Sequence, residues 1–259
     1  MTPKQTLGTI SKAALGIGFL AGAIELYFEA RERAAGVGGL GKLDASPGTR
    51  GVRKDGRSPT PALGKPTAQH HQVWNIDKRV ELIRKLIVKG HLNPVLHEKT
   101  VEILSQKCGK KYCVPEKDCE AEVKWLFNAI RNPSSKYSVR YTRDMLLADT
   151  FTQAERTLLQ TKGGDCDDYT ILLGAMLMSV GHPVRVRVVA AKNEANNNAW
   201  SHVYLITMRR FDDPSAGWMA VDCSVAGKTA GWEAPGAAES ALSGKPAGMI
   251  HKVKDFPVP

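Results

Sequence analysis

The sequence predicts an α+β fold: a buried helix packed on an antiparallel sheet, preceded by a helical subdomain and a separate N-terminal apolar helix. Three observations predict it. Cys166 to Val180 reads as a helix whose interior (Ile171, Leu172, Leu173, Ala175, Met176, Leu177, Met178) is apolar nearly all round, which is the pattern of a core helix. Three short strand patterns follow it at Val184–Ala190, His202–Met208 and Trp218–Val225, with links short enough for an antiparallel meander. Upstream, apolar residues recur at helical spacing over 73–131.

Bulk properties bound the function classes. The 259 residues are 42% hydrophobic and 24% charged, ordinary for a globular protein. The net charge of +10 favours anionic partners. No zinc-finger spacing and no nucleotide-binding glycine loop accompany it, so no specific nucleic-acid motif is present. Part of the charge lies on Lys42, Arg50, Arg53, Lys54, Arg57 and Lys65, the pattern of a solvated linker. Five cysteines are too few for a disulfide scaffold. Cys108, Cys113 and Cys119 fit no standard zinc pattern. They are expected as reduced, partly buried thiols, with one disulfide as the alternative in an oxidising compartment. No metal or cofactor is expected.

Residues 1–35 contain a run of apolar and small residues, Ala13 to Ile24, and end in charged helix-forming sequence. Three readings stand: a helix packed on a partner or its own domain, a membrane contact through 10–30, and a cleaved export signal. Residues 36–72 form a basic Pro/Gly linker that cannot bury enough surface to offset its ordering entropy. In 73–131, Ile76, Val80, Ile83 and Ile87 mark a first helix, with Gly90 expected to end it. Asn93-Pro94 opens a second helix running to about Lys107, and a third spans about Cys119 to Ile130, stopped by Asn132-Pro133. Residues 132–225 form the core domain, with a short helix near Gln153–Leu159 and a polar loop at Asn193–Asn198. The Gly-, Ala- and Pro-rich stretch 226–259 is expected to be an irregular tail.

One constellation carries chemistry. Cys166 follows Gly163-Gly164-Asp165 and opens the buried helix. A helix N-terminus favours a thiolate, the glycines allow close approach of a substrate carbonyl, and the Cys166 N–H can donate to an oxyanion. Asp165 fits an N-cap, but Asp165, Asp167 and Asp168 together oppose a thiolate, so an imidazolium must compensate. His202 starts one strand and Asp222 lies near the end of the next. Alternation puts His202 with Tyr204 and Ile206, and Asp222 with Ala220 and Trp218, so the two can share a face. Cys166, His202 and Asp222 then form nucleophile, base and orienter. Taken singly, each also reads blandly: a core cysteine, a surface strand histidine and a turn-proximal aspartate.

Gly-Gly-Asp-Cys166-Asp-Asp-Tyr, followed by a buried helix, His202-Val-Tyr and Val-Asp222, resembles the transglutaminase-like superfamily. Val139-Arg140-Tyr141-Thr142-Arg143-Asp144 and Ala154-Glu155-Arg156-Thr157-Leu158 resemble its small phage-encoded branch. The resemblance covers roughly 73–225. It implies a papain-like fold and thiol acyl transfer, in which Cys166 attacks an amide carbonyl and His202 shuttles the proton. Many members carry an aromatic residue directly after the histidine; here Val203 stands there and Tyr204 follows.

The expected function is therefore a phage-type cysteine peptidase or amidase, virion-associated, acting on a peptide or peptidoglycan-like amide. Phage structural proteins are the expected partners. The virion or host cytoplasm is the expected location, with membrane association or export through residues 1–35 as a variant. The alternatives are a non-enzymatic structural or binding component on the same fold, and a crosslinking transamidase.

Overall fold

The computed structural model describes residues 75–144, 150–192 and 200–259. The expected N-terminal helix over 1–35, the linker over 36–72 and the loop Asn193–Asn198 lie outside the described residues. Among those described, no helix is long and apolar enough to cross a membrane.

Three helices come first. Helix α1 (Ile76–His91) is capped by Asn75, whose side chain accepts from the Asp77 N–H, and it buries Val80, Ile83 and Ile87. Helix α2 (Pro94–Leu104) starts as expected, with Asn93 as cap and proline in the first turn. A two-stranded hairpin, β1 (Lys107–Cys108) and β2 (Lys111–Tyr112), is closed by a Cys108–Cys113 disulfide. The expectation of reduced thiols fails there. The hairpin turns the two cysteines back toward each other, to a Cα–Cα distance of 4.9 Å. Cys119 is a free thiol at the start of α3 (Cys119–Arg131), a helix capped by Asp118.

Gly90 does not end α1. It lies inside the helix, and a Cβ there would come within 2.7 Å of the Ala175 Cβ. A Cβ on Gly174 would come within 2.8 Å of Ile87. Both glycines serve the close crossing of α1 with the core helix, not a cap.

A short strand β3 (Arg140–Tyr141) leads to helix α4 (Ala154–Arg156), which continues into a π turn over Thr157–Thr161. Strand β4 (Gly163–Gly164) pairs in parallel with β3 and delivers the chain to helix α5 (Cys166–Ser179). Every residue of α5 from Asp168 to Leu177 is buried, because α1 lies along it on one side and the main sheet on the other.

That sheet is antiparallel, in the order β7–β6–β5–β8, built from β5 (Val184–Ala191), β6 (His202–Met208), β7 (Trp218–Val221) and β8 (Ile250–Pro257). Val186, Val188, Val203, Leu205, Met219 and Val221 face the core shared with α1, α2, α3 and α5. One continuous apolar cluster thus crosses the boundary drawn at 131/132. Val189, Tyr204, Ile206 and Ala220 face the other way, covered by Ala237 and Ile250 of the C-terminal stretch.

The irregular tail expected over 226–259 is corrected. It forms helix α6 (Ala237–Ser243) and strand β8, which pairs with β5 along its length with one bulge at Ala190/Ala191. Strand β8 is a half-buried edge with Lys252 and Lys254 along it, the composition that edge strands use against further pairing.

Candidate active site

Helix α5 begins where β6 and β7 part. Their pairing stops at Leu205↔Val221. Beyond that point the Val203 backbone turns to α5 instead: its N–H donates to the Cys166 thiol, and its carbonyl accepts from the Thr170 hydroxyl at 3.4 Å. The same hydroxyl donates to the Cys166 carbonyl at 2.6 Å, one helical turn back. Cys166 is thereby seated beside the residue that follows His202. It is partly buried and, as expected, opens the helix behind its cap: Asp165 accepts from the Asp167 N–H at 3.2 Å.

His202 and Asp222 meet. The imidazole Nε2 lies 2.7 Å from Asp222 Oδ2. Continuing the β6–β7 register by one residue sets Asp222 opposite Tyr204 and diagonal to His202, within reach of a long side chain. The other carboxylate oxygen, Oδ1, accepts from the Ser224 N–H at 3.0 Å and the Ser224 hydroxyl at 2.6 Å. Asp222 is 5% exposed, so these bonds satisfy a charge that water scarcely reaches. Arg131, in the last turn of α3, fixes the chain just beyond by donating to the carbonyls of Cys223 and Val225 at 2.7 and 3.1 Å. Cys223 points to the opposite face, as alternation predicts, and is buried in the core.

Ser224, Thr170 and Arg131 support the site and went unnoticed in the sequence. The Asp-x-Ser spacing at 222–224 is a usable signal for a side chain capping its own turn. Nothing local marks Arg131, whose partners lie over ninety residues away.

Electrostatics separate the members. Burial alone would lower the His202 pKa, but the charge and hydrogen bond of Asp222, with the charge of Asp165, hold it above its usual value. Burial alone would raise that of Asp222; His202 and Ser224 reverse this and hold it low. Burial pushes the Cys166 thiol well up, aided by Asp165, Asp167 and Asp222 and opposed by the Val203 N–H. The helix N-terminus therefore does not leave a resting thiolate, and the sulfur rests as a thiol.

The crowd of carboxylates is also resolved. Burial raises Asp167 strongly, and a hydrogen bond with Asp165 adds to the shift. Burial lifts Asp168 to about 7, against the N–H of Thr152, which donates at 2.7 Å. Burial thus favours the neutral form of both carboxyls, which weakens their pressure on the sulfur. Asp168 also explains a glycine. A Cβ on Gly164 would lie 2.5 Å from the Asp168 Cβ, so the space expected for substrate approach is filled by that side chain. Asp165, Asp167 and Asp168 bring their oxygens within 4.8 Å of one another. Burial favours protonation of Asp167 and Asp168, which eases the repulsion within this cluster.

A histidine tied through Nε2 to a carboxylate keeps Nδ1 for a second partner, and a thiol beside it can give up its proton there.

Residues 110–223 match a family model described as the transglutaminase-like superfamily. Among solved structures, the chain is similar to the periplasmic domain of TgpA from Pseudomonas aeruginosa, crystallised bound to ethylmercury. Identity is 18%, covering 55% of this chain and 50% of that one, with a TM-score of 0.35. The chain thus spans half the length of that structure. No curated protein matches it. Over residues 110–223, the chain carries a transglutaminase-like superfamily domain.

Proposed function

We propose that the protein is a thiol peptidase or amidase in which Cys166 is the nucleophile, His202 the base and Asp222 the orienter. The observation that carries this reading is the His202 Nε2–Asp222 Oδ2 bond of 2.7 Å, one residue from the Val203 N–H that holds the Cys166 sulfur. The superfamily match fits a cysteine-type transamidase or peptidase. In the proposed reaction, His202 takes the thiol proton as sulfur attacks the amide carbonyl. The resulting imidazolium is stabilised by Asp222 and then protonates the leaving amine. Water, activated by the same histidine, releases the acid from the acyl-enzyme. The Cys166 N–H is one oxyanion donor.

The phage-type assignment rests on the likeness of Val139–Asp144, Ala154–Leu158 and the helices over 73–130 to that branch. A peptide amide, in a peptidoglycan stem or in a virion protein, is the substrate class that goes with it.

Peptide pools and peptidoglycan fragments, incubated with and without a primary amine and read by mass spectrometry, test the reaction class. New carboxyl termini are the expected result. Amine adducts without hydrolysis would replace the peptidase reading with a transamidase. Unchanged pools, together with a Cys166 no more reactive than Cys119, would favour a binding component.

A further inference from the structure

The sheet face that carries His202 also carries a buried ionic network from the C-terminal stretch. Arg187 of β5 is 8% exposed. Its Nε and Nη2 donate to Oδ1 and Oδ2 of Asp255, each at 2.7 Å, and its Nη1 donates to Glu233 Oε1 at 2.6 Å. Asp255 sits directly across from Arg187 in the β5–β8 register. The Tyr204 hydroxyl donates to the same Glu233 oxygen at 2.8 Å. The Tyr204 ring lies against the His202 imidazole, with centroids 5.6 Å apart and planes inclined by 31°. A bonded chain thus runs from Asp255 through Arg187 and Glu233 to Tyr204, and ends on the imidazole by ring contact.

Apolar residues of similar volume would stabilise this face as well as an ionic network does, since burying three charges costs much of what their attraction returns. What the network adds is direction. One hydrogen bond to Asp222 fixes Nε2 but leaves the ring free to turn about that N···O axis. A flanking aromatic ring removes the turn, provided that it is itself anchored. We propose that Tyr204 is a positioning residue for His202, anchored through its hydroxyl by a Glu233–Arg187–Asp255 clamp whose two carboxylates come from residues 226–259. This rests on the thiol–imidazole reading of the site. The groups facing the Tyr204 hydroxyl and ring are Glu233, Arg187, Asp222 and His202. With the clamp formed, the ring holds one orientation about that axis; without it, that orientation is lost for part of the time.

Tyr204→Phe in the full chain, labelled with 15N-histidine, tests this. The expected result is that His202 leaves the single Nε2–H tautomer for an averaged signal. Alkylation of Cys166 by iodoacetamide should slow by about tenfold or more, because small misplacements carry such factors. Glu233→Gln keeps an acceptor for the hydroxyl and should retain the wild-type tautomer, whereas Glu233→Ala should lose it. A wild-type tautomer and alkylation rate in Tyr204→Phe would overturn the clamp. The site reading fails separately: if His202→Ala leaves Cys166 alkylation unchanged, the thiol–imidazole pair is wrong.

Discussion

Replacing Cys166 by Ser is expected to reduce amide hydrolysis to background, a loss on the order of 10⁶-fold if it follows other nucleophile deletions. A hydroxyl is a far weaker acid than a thiol, and an imidazole suited to a thiol cannot deprotonate it readily. The oxygen is also smaller, so it sits farther from both carbonyl and base. The fold should survive. Cys166 is only partly buried at the end of a helix, and the core contacts of α5 come from Ile171 to Leu177. Circular dichroism and the thermal midpoint, compared with steady-state hydrolysis, check this. Retained turnover would exclude Cys166 as the nucleophile. A serine variant that melts early would assign the residue a packing role.

Asp222→Asn is expected to cost about 10³- to 10⁴-fold in kcat/KM while conserving shape. Both carboxylate oxygens of Asp222 accept hydrogen bonds: Oδ1 from Ser224 and Oδ2 from His202. An amide offers one oxygen. The fixed Ser224 N–H claims it, so the NH₂ turns to His202 and donates to Nε2. The imidazole proton then moves to Nδ1, where the lone pair for the thiol should be. The pH profile gives a second readout. His202 must be deprotonated to act, so activity rises as pH passes through its pKa. Asp222 helps to hold that pKa above its usual value. Without the carboxylate, the rising limb should move toward lower pH while the plateau falls. A fallen plateau with an unmoved limb would mean that the limb does not belong to His202.

Much of this was legible because local chemistry and tertiary packing agree. The caps Asn75, Asn93, Asp118 and Asp165 stand where the sequence places helix starts. The all-apolar stretch Ile171–Met178 marks the core helix, and alternation marks β5 to β7. Strand β8 was missed because an edge strand buries little; its two lysines and terminal proline read as loop. Gly90 was misread because a glycine that lets two helices approach is the same letter as one that ends a helix. The disulfide stood only as the alternative because two residues of turn between β1 and β2, not cysteine spacing, bring Cys108 to Cys113. The pairing of His202 with Asp222 was legible from alternation along β6 and β7. What the sequence could not show is that burial favours the neutral form of Asp167 and Asp168 beside Cys166.

The most direct measurement is the rate of Cys166 alkylation by iodoacetamide across pH, located by mass spectrometry, in the wild-type chain and in His202→Ala. The thiol is pushed up by burial, so unassisted it should react only at alkaline pH. With His202 as base, the wild-type rate should rise through the imidazole pKa, which Asp222 helps to hold above its usual value. In His202→Ala that limb should vanish, leaving only the alkaline rise. Identical profiles in the two proteins would contradict the account.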